Sequence, residues 1–412
     1  MNKKLDTGPY RGVRDFFPED MRILKWMFEK IRKVVESYGY VEYGASILEP
    51  TELYAAKSGE EIVNEQTYTF TDRGGRSVTL RPEMTPTAAR MVAARRRDLG
   101  FPLRWYSIPN LFRYENPQKG RQREHWQLNA DIFGISGVEA EIEIISLACA
   151  IMKGFGAKDE DFEIRINDRQ NKLKGLREKS LSPEQERGMW QLLDKKDKIS
   201  GSDFRKRAAE ILGESLELEF EESEKTKQII SALGEIGINN TSFSPALARG
   251  FDYYTGMIFE VFDTNKDNPR SIFGGGRYDD LTKLFDDESI PAVGFGMGDV
   301  TLREFLKSRN LLPAYKPETQ ICIASINEDD VPNTISIAKR LRERELNVAT
   351  DTTNRKVGDK IKAADKNRVP FFMAFGEEEQ NTNKFKIKEL SSGDEREFDE
   401  DGVVNFLKDN QR

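Results

Sequence analysis

Apolar positions recur at helical spacing over residues 19–38, where Met21, Leu24, Met27, Phe28, Ile31, Val34 and Val35 form one stripe. Pro18, just ahead of that stripe, suits a helix start. Over residues 66–81 the period drops to two. Tyr68 and Phe70 alternate with polar neighbours, Asp72-Arg73-Gly74-Gly75 makes a turn, and Val78 and Leu80 resume the alternation, which predicts a hairpin. The prolines of Arg81-Pro82-Glu83-Met84-Thr85-Pro86 restrict the backbone, and an extended path would put Glu83 and Thr85 on one side. A helix is expected from about Thr87 to Leu99. Leu111 to Gly134 then reads as two antiparallel strands around a basic loop. Ser136 to Glu139 has the spacing of a capping box ahead of a long apolar helix through Phe155, and Phe162 to Ile166 is strand-like.

The texture shifts at residue 167. Residues 167–240 are helical in pattern, heavily charged and poorer in aromatics, so they read as an inserted block. Gly44–Tyr54 is broken by Pro50, and strand-like, glycine-punctuated sequence returns from Ala246. It runs through LARGFDYYTGMIFEVF, GGGRYDD and GFGMG. Lys307–Pro317 reads as a linker, after which strands and helices alternate to the end. The expected division is therefore 1–166 and 241–308 for one α+β domain on an antiparallel sheet, with 167–240 as a helical insertion. Residues 309–317 would be the linker and 318–412 a C-terminal α/β domain.

Composition narrows the chemistry. Of 412 residues 33% are charged and mean hydropathy is −0.65. The best apolar run, Ile144–Met152, is too short for a bilayer, and the first residues lack an apolar leader, so a cytoplasmic protein without membrane contact is expected. Cys149 and Cys322 stand far apart in apolar surroundings, as inert core thiols do. A net charge of −7 argues against a generally basic coat and leaves room for a local basic face. His125 is the single histidine. Histidine-dependent nucleophilic catalysis and multi-histidine metal sites are thereby nearly excluded, which favours charge stabilisation by Arg, Glu, Asp, Gln and Tyr.

Arg113 lies where the first strand of the hairpin meets its loop, and Arg121 and Arg123 where the chain returns. Guanidinium groups on a rigid support suit a polyphosphate or a nucleic-acid end, but solvated charges on a surface hairpin have the same pattern. Glu83 is equally open between a site carboxylate and a loop acid. The glycine clusters allow close backbone approach by a ligand, or simply turns and bulges. In the C-terminal part Asn354, Arg355, Lys356, Lys360, Lys362, Lys366 and Arg368 make the most basic surface expected.

Together these stretches resemble the class II aminoacyl-tRNA synthetases, and among them the histidyl-tRNA synthetase family, over almost the whole chain. Gly44–Tyr54 resembles motif 1 and FRYENPQKGRQREHWQ motif 2; LARGFDYYTG and GGGRYDDL resemble the two peptides that mark histidine-specific members. The tail is similar to the family's anticodon-binding domain. The resemblance implies ATP-dependent activation of L-histidine with Mg2+, transfer to tRNA(His), and a homodimer. It implies Arg113 and Arg249 as the catalytic pair on the α-phosphate, with Glu115 and Arg121 on the rest of ATP. Glu83, Thr85 and Gln127 would hold the α-amino group, Asp131 and Tyr254 the imidazole, with Tyr253 and the Gly274–Gly276 backbone lining the pocket. Gln118 and Arg123 would face the tRNA acceptor end. One departure stands out: Thr301 occupies the place of the motif 3 arginine that contacts the ATP γ-phosphate, and Arg303 lies about 200° round the helix from it. That departure motivates an alternative, a non-catalytic histidine-binding paralogue that regulates ATP phosphoribosyltransferase.

Overall fold

A computed structural model describes residues 4–55, 66–116, 120–168, 181–194, 201–213, 222–245, 247 and 253–410. The chain divides into two units, Met1–Pro313 and Ala314–Arg412. The strands of the first are β1 (Val41–Glu42), β2 (Leu48–Pro50), β3 (Tyr68–Thr71), β4 (Ser77–Leu80), β5 (Leu103–Ser107) and β6 (Asn110–Phe112). They continue as β7 (Glu124–Phe133), β8 (Phe162–Asp168), β9 (Thr241–Phe243), β10 (Met257–Asp263), β11 (Ser271–Arg277) and β12 (Ala292–Gly298).

Its main sheet runs β1-β5-β7-β12-β11-β10-β8-β9, with β6 added to β7, and a small sheet runs β2-β4-β3. Only the outer pairs β1–β5 and β8–β9 are parallel among the described strands of this unit. Alternation sorts the two faces of the main sheet. Leu128, Ala130 and Ile132 of β7 and Val293, Phe295 and Met297 of β12 point into one cluster. Met27, Ile31 and Val35 of the helix Pro18–Ser37 fill it from outside, as do Ile144, Ile145 and Ala148 of Glu139–Gly154. The intervening residues of β7 and β12 face the other way and build the cavity described below.

Residues 167–240 contribute the helices Pro183–Asp194, Gly201–Leu212 and Glu224–Glu235. The first two share a small core of Met189, Leu192 and Ala208. Ile229 and Leu233 of the third join the main cluster instead.

Two local expectations give way. The helix expected from Thr87 starts at Thr85 and ends at Ala94, so Thr85 is helical rather than extended. Pro86 explains the early start: its fixed φ and missing N–H suit the first turn. The capping box at Ser136–Glu139 does not form, since the N-cap is Val138, without a side-chain cap bond. The segment ahead is pinned by Arg277 instead, whose Nη1 donates to Ile135 O and Nη2 to Gly137 O, both at 3.0 Å. Arg277 also donates from Nε to Glu141 Oε1 at 2.7 Å, and both side chains are buried. The arginine of GGGR thus ties β11 to the helix Glu139–Gly154.

In the second unit β13 (Ile321–Ser325), β14 (Val348–Asp351), β15 (Phe371–Phe375), β16 (Phe385–Glu389) and β17 (Glu395–Phe398) form the order β14-β13-β15-β16-β17. Its first three neighbours are parallel and the last two antiparallel additions. Helices Val331–Glu343, Val357–Lys366 and Glu400–Asp409 supply Ile337, Ala364 and Val404 to the cores on its faces. Lys360 corrects the expected basic surface: it is 1% exposed, and its Nζ donates to Ser325 O at 2.7 Å and Asp351 O at 3.3 Å. A lysine facing the sheet finds carbonyls at the strand ends, so its charge serves the fold and not the surface.

Candidate active site

The cavity lies on the face of the main sheet opposite the helices. Its volume is about 90 Å3, and Glu83, Thr85, Arg113, Gln127, Asn129, Tyr253, Tyr254 and Tyr278 wall it over a floor that includes Gly274, Gly294 and Gly296. Counting roughly 10–15 Å3 for one water on this measure, it has room for a group of amino-acid side-chain size. Strand register makes it. Gly294 pairs with Asp131, Gly296 with Asn129 and Gly298 with Gln127, so a polar row on β7 runs beside a bare row on β12. On the other side Gly274 pairs with Gly296 and Gly276 with Gly294. A Cβ at Gly294 would collide with the Asp131 carboxylate, and one at Gly296 with the Gln127 amide. These two positions must therefore be glycine if the polar row is to stand upright beside them.

The walls are interlocked. Tyr253 donates from its hydroxyl to Glu83 Oε2 at 3.0 Å, and Glu83 is 2% exposed. Gln127 Nε2 donates to Asn129 Oδ1 at 2.7 Å. Arg113 donates from Nε to Pro82 O at 2.9 Å, which orients the guanidinium at the cavity wall. Tyr253 packs against Tyr254 and Tyr278, with ring centroids 4.9 and 5.8 Å apart. Asp131 lies behind this wall. The Tyr278 hydroxyl donates to its Oδ1, while its buried Oδ2 has no hydrogen-bond partner. Burial pushes the carboxyl up to about 7, against the downward pull of the Tyr278 bond. Burial and then the Arg113 charge press the His125 imidazole down to about 3, so the single histidine is neutral at physiological pH.

A cavity of side-chain size, with an arginine at its wall and glycine strands beneath it, thus stands in a chain that carries a separate α/β unit downstream. The family described as Histidyl-tRNA synthetase matches residues 12–300, and the anticodon binding domain matches residues 320–410. The chain belongs to the histidyl-tRNA synthetase family. It is 40% identical to the histidine–tRNA ligase of Leptospira biflexa serovar Patoc, over 99% of this chain and 98% of that one. Among solved structures, histidyl-tRNA synthetase from Nostoc sp. PCC 7120 covers 99% of this chain, and all of that one, at a TM-score of 0.77 and 22% identity. The structure described as an ATP phosphoribosyltransferase regulatory subunit/histidyl-tRNA synthetase from Bacillus halodurans C covers 88% of this chain and 97% of that one (TM-score 0.69, 21% identity). The two structural likenesses are of fold.

Of the residues expected from the histidyl-tRNA synthetase resemblance, Glu83, Thr85, Arg113, Gln127, Tyr253 and Tyr254 meet around this one cavity. Asp131 stands one residue back, behind Tyr278. Arg121 and Glu115 approach each other at 3.6 Å on the loop beyond β6. Arg249 and Gln118 lie outside the described residues. Arg123 is turned inward: it is 7% exposed, and its guanidinium lies 3.9 Å from the Tyr114 ring centroid. Its Nε donates to Glu115 O and its Nη1 to the Tyr10 hydroxyl. Sequence reasoning missed Asn129 and Tyr278. Both carried a signal, since each continues a period-two row, 127-129-131 on β7 and 274-276-278 along β11.

Proposed function

We propose that the chain activates L-histidine with ATP, releasing pyrophosphate, and transfers the histidyl group from histidyl-adenylate to the 3′ end of tRNA(His). The observation that carries this reading is the convergence of Arg113, Glu83, Gln127 and three tyrosines on one glycine-floored cavity in a member of this family. A histidine carboxylate oxygen attacks the α-phosphorus, and the bond from that phosphorus to the β-phosphate bridging oxygen breaks. Charge builds on the equatorial oxygens, and the guanidinium of Arg113, oriented in advance through Pro82, stabilises it without a proton transfer. Arg249 is the second cation we assign there, from the sequence. Glu83, Thr85 and Gln127 take the α-amino group.

At the ring end one imidazole N–H donates to the oxygen of Tyr278, whose own proton is held by Asp131. Asp131 is thus a positioning residue acting through Tyr278, and Tyr254 meets the other ring nitrogen. Glu115 and Arg121 handle the nucleotide. Mg2+ comes with ATP and neutralises phosphate charge when bound. It takes few protein ligands, and the buried Oε2 of Glu115, which has no hydrogen-bond partner and lies 3.6 Å from Arg121 Nη1, is a hard oxygen that fits it. Gln118 is kept for the acceptor end of tRNA, whereas the inward contacts of Arg123 suit it to shaping the loop. Arg355, Lys356, Lys362, Lys366 and Arg368 are the cations we assign to the anticodon stem-loop.

Histidine-dependent exchange of labelled pyrophosphate into ATP, run across all twenty amino acids, tests the reading. Exchange with histidine alone is expected, and none with any amino acid would sink it. The regulatory-paralogue alternative rests on Thr301 and would require a stable complex with a phosphoribosyltransferase and no tRNA charging. Matches to both the synthetase and anticodon-binding families, with 40% identity to a ligase along the whole chain, weigh against it.

A further inference from the structure

ATP carries about four negative charges, and a site that binds it needs cations along the whole triphosphate, beyond the one that serves the α-phosphorus. Thr301 brings none. Its hydroxyl instead donates to Ile272 O at 2.6 Å and so ties the helix Asp299–Ser308 to the start of β11. Two residues before Ile272 in the chain is Arg270, which is exposed. The point where it arrives is defined by Gly120, on the returning side of the loop that carries Glu115 and Arg121. A methyl group at Gly120 would lie 3.6 Å from Arg270 Nη1, 3.7 Å from Glu304 Oε2 and 3.8 Å from Thr301 Cγ2. The arginine of that helix, Arg303, is directed elsewhere, onto Asp20 at 2.6 Å.

We infer that Arg270 holds the distal phosphates of ATP in this chain, supplying from the β10–β11 loop the cation that Thr301 lacks. The residue that gave up the charge anchors the strand that brings the replacement. A guanidinium can grip a phosphate through two parallel N–H bonds, which fixes the triphosphate's direction as well as its charge. Glu304 stands at the same point, so the phosphates must draw the guanidinium away from that carboxylate. This inference rests on the ATP-dependent activation proposed above.

The test uses the full-length protein in histidine-dependent pyrophosphate exchange, comparing wild type with Arg270→Ala and Arg270→Lys. Loss of one charge-assisted phosphate contact should raise the KM for ATP about 10- to 100-fold in Arg270→Ala. The KM for histidine and inhibition by AMP, which lacks the distal phosphates, should stay within about twofold. Arg270→Lys should fall between wild type and Arg270→Ala, because a lysine restores a point charge but not the two-bond grip. An unchanged ATP KM in Arg270→Ala overturns the assignment. So does an equal loss for AMP or histidine, or a lysine variant as impaired as the alanine one. Absence of exchange in the wild type would instead be a failure of the activation reading, and the two failures are therefore distinguishable.

Discussion

Replacing Asp131 with asparagine separates the electrostatic cost of this residue from its service to the substrate. The carboxyl is buried, receives one hydrogen bond from Tyr278 and keeps Oδ2 without a partner. Its rise from 3.8 to about 7 corresponds to roughly 4 kcal/mol against the ionised form, at about 1.36 kcal/mol per pH unit. The folded state holds this proton more tightly than the unfolded chain does. Stability is therefore undiminished below about pH 4, falls as pH rises from about 4 to 7, and stays reduced above. Asparagine cannot ionise, though its amide leaves a buried donor to satisfy, at a cost of about 1–3 kcal/mol. Asp131→Asn should accordingly be more stable than wild type at about pH 8, by on the order of 1–3 kcal/mol, and no more stable at about pH 4. Thermal unfolding of both proteins across this range measures the difference. A difference that does not change with pH would refute the reasoning. In exchange kinetics the same variant should raise the KM for histidine roughly 10-fold or more while leaving that for ATP unchanged, since the amide offers Tyr278 a weaker, neutral acceptor and an NH2 donor in place of the carboxylate. Equal losses for both substrates would contradict the assignment.

Two other outcomes follow from the geometry. Gly294→Ala would drive a methyl group against Asp131 and to 2.7 Å from Ala130 O. It should raise the KM for histidine steeply and lower stability by about 1–3 kcal/mol. Gly358→Ala, in open space on a helix, should stabilise by about 0.5–1 kcal/mol without touching kinetics, and normal histidine use by Gly294→Ala would remove the need for a bare floor. The homodimer we propose from the family should sediment at twice the 47.2 kDa of one chain at micromolar concentration, and a single-chain mass at tens of micromolar would count against it.

Much of the fold was legible because local pattern and tertiary role agreed. The stripe from Met21 to Val35 became the helix Pro18–Ser37, and the alternation around Asp72–Gly75 became β3 and β4 in the register Tyr68↔Leu80. The hairpin Leu111–Gly134 is β6 and β7. Where a residue could serve either the surface or the interior, pattern could not choose. Lys360 and Arg123 read as exposed cations, yet each is buried against carbonyls or a ring supplied by segments distant in the chain, Ser325 for the one and Tyr10 and Arg11 for the other. Thr85 was misplaced because two prolines suggest an extended path, while one proline inside a first turn is compatible with a helix. The residues about the cavity were found one by one through the resemblance. Tyr278 escaped although it continues the row 274-276, because which of a strand's two rows faces a ligand depends on pairing, and pairing is not written in any single strand.

Arg123 has a consequence for the chain's beginning. Its backbone N–H donates to Gly12 O at 2.6 Å, and its guanidinium reaches the Tyr10 hydroxyl and Arg11 O. The segment around residues 10–12 and the loop that carries Glu115 and Arg121 therefore share one latch. Peeling the segment away would free the Arg123 guanidinium, and whatever holds that guanidinium steadies the segment. Proteolytic nicking ahead of Gly12, or a bulky fusion placed there, would be felt at the nucleotide we assign to Glu115 and Arg121, and binding of that nucleotide would in turn shield the stretch from a protease.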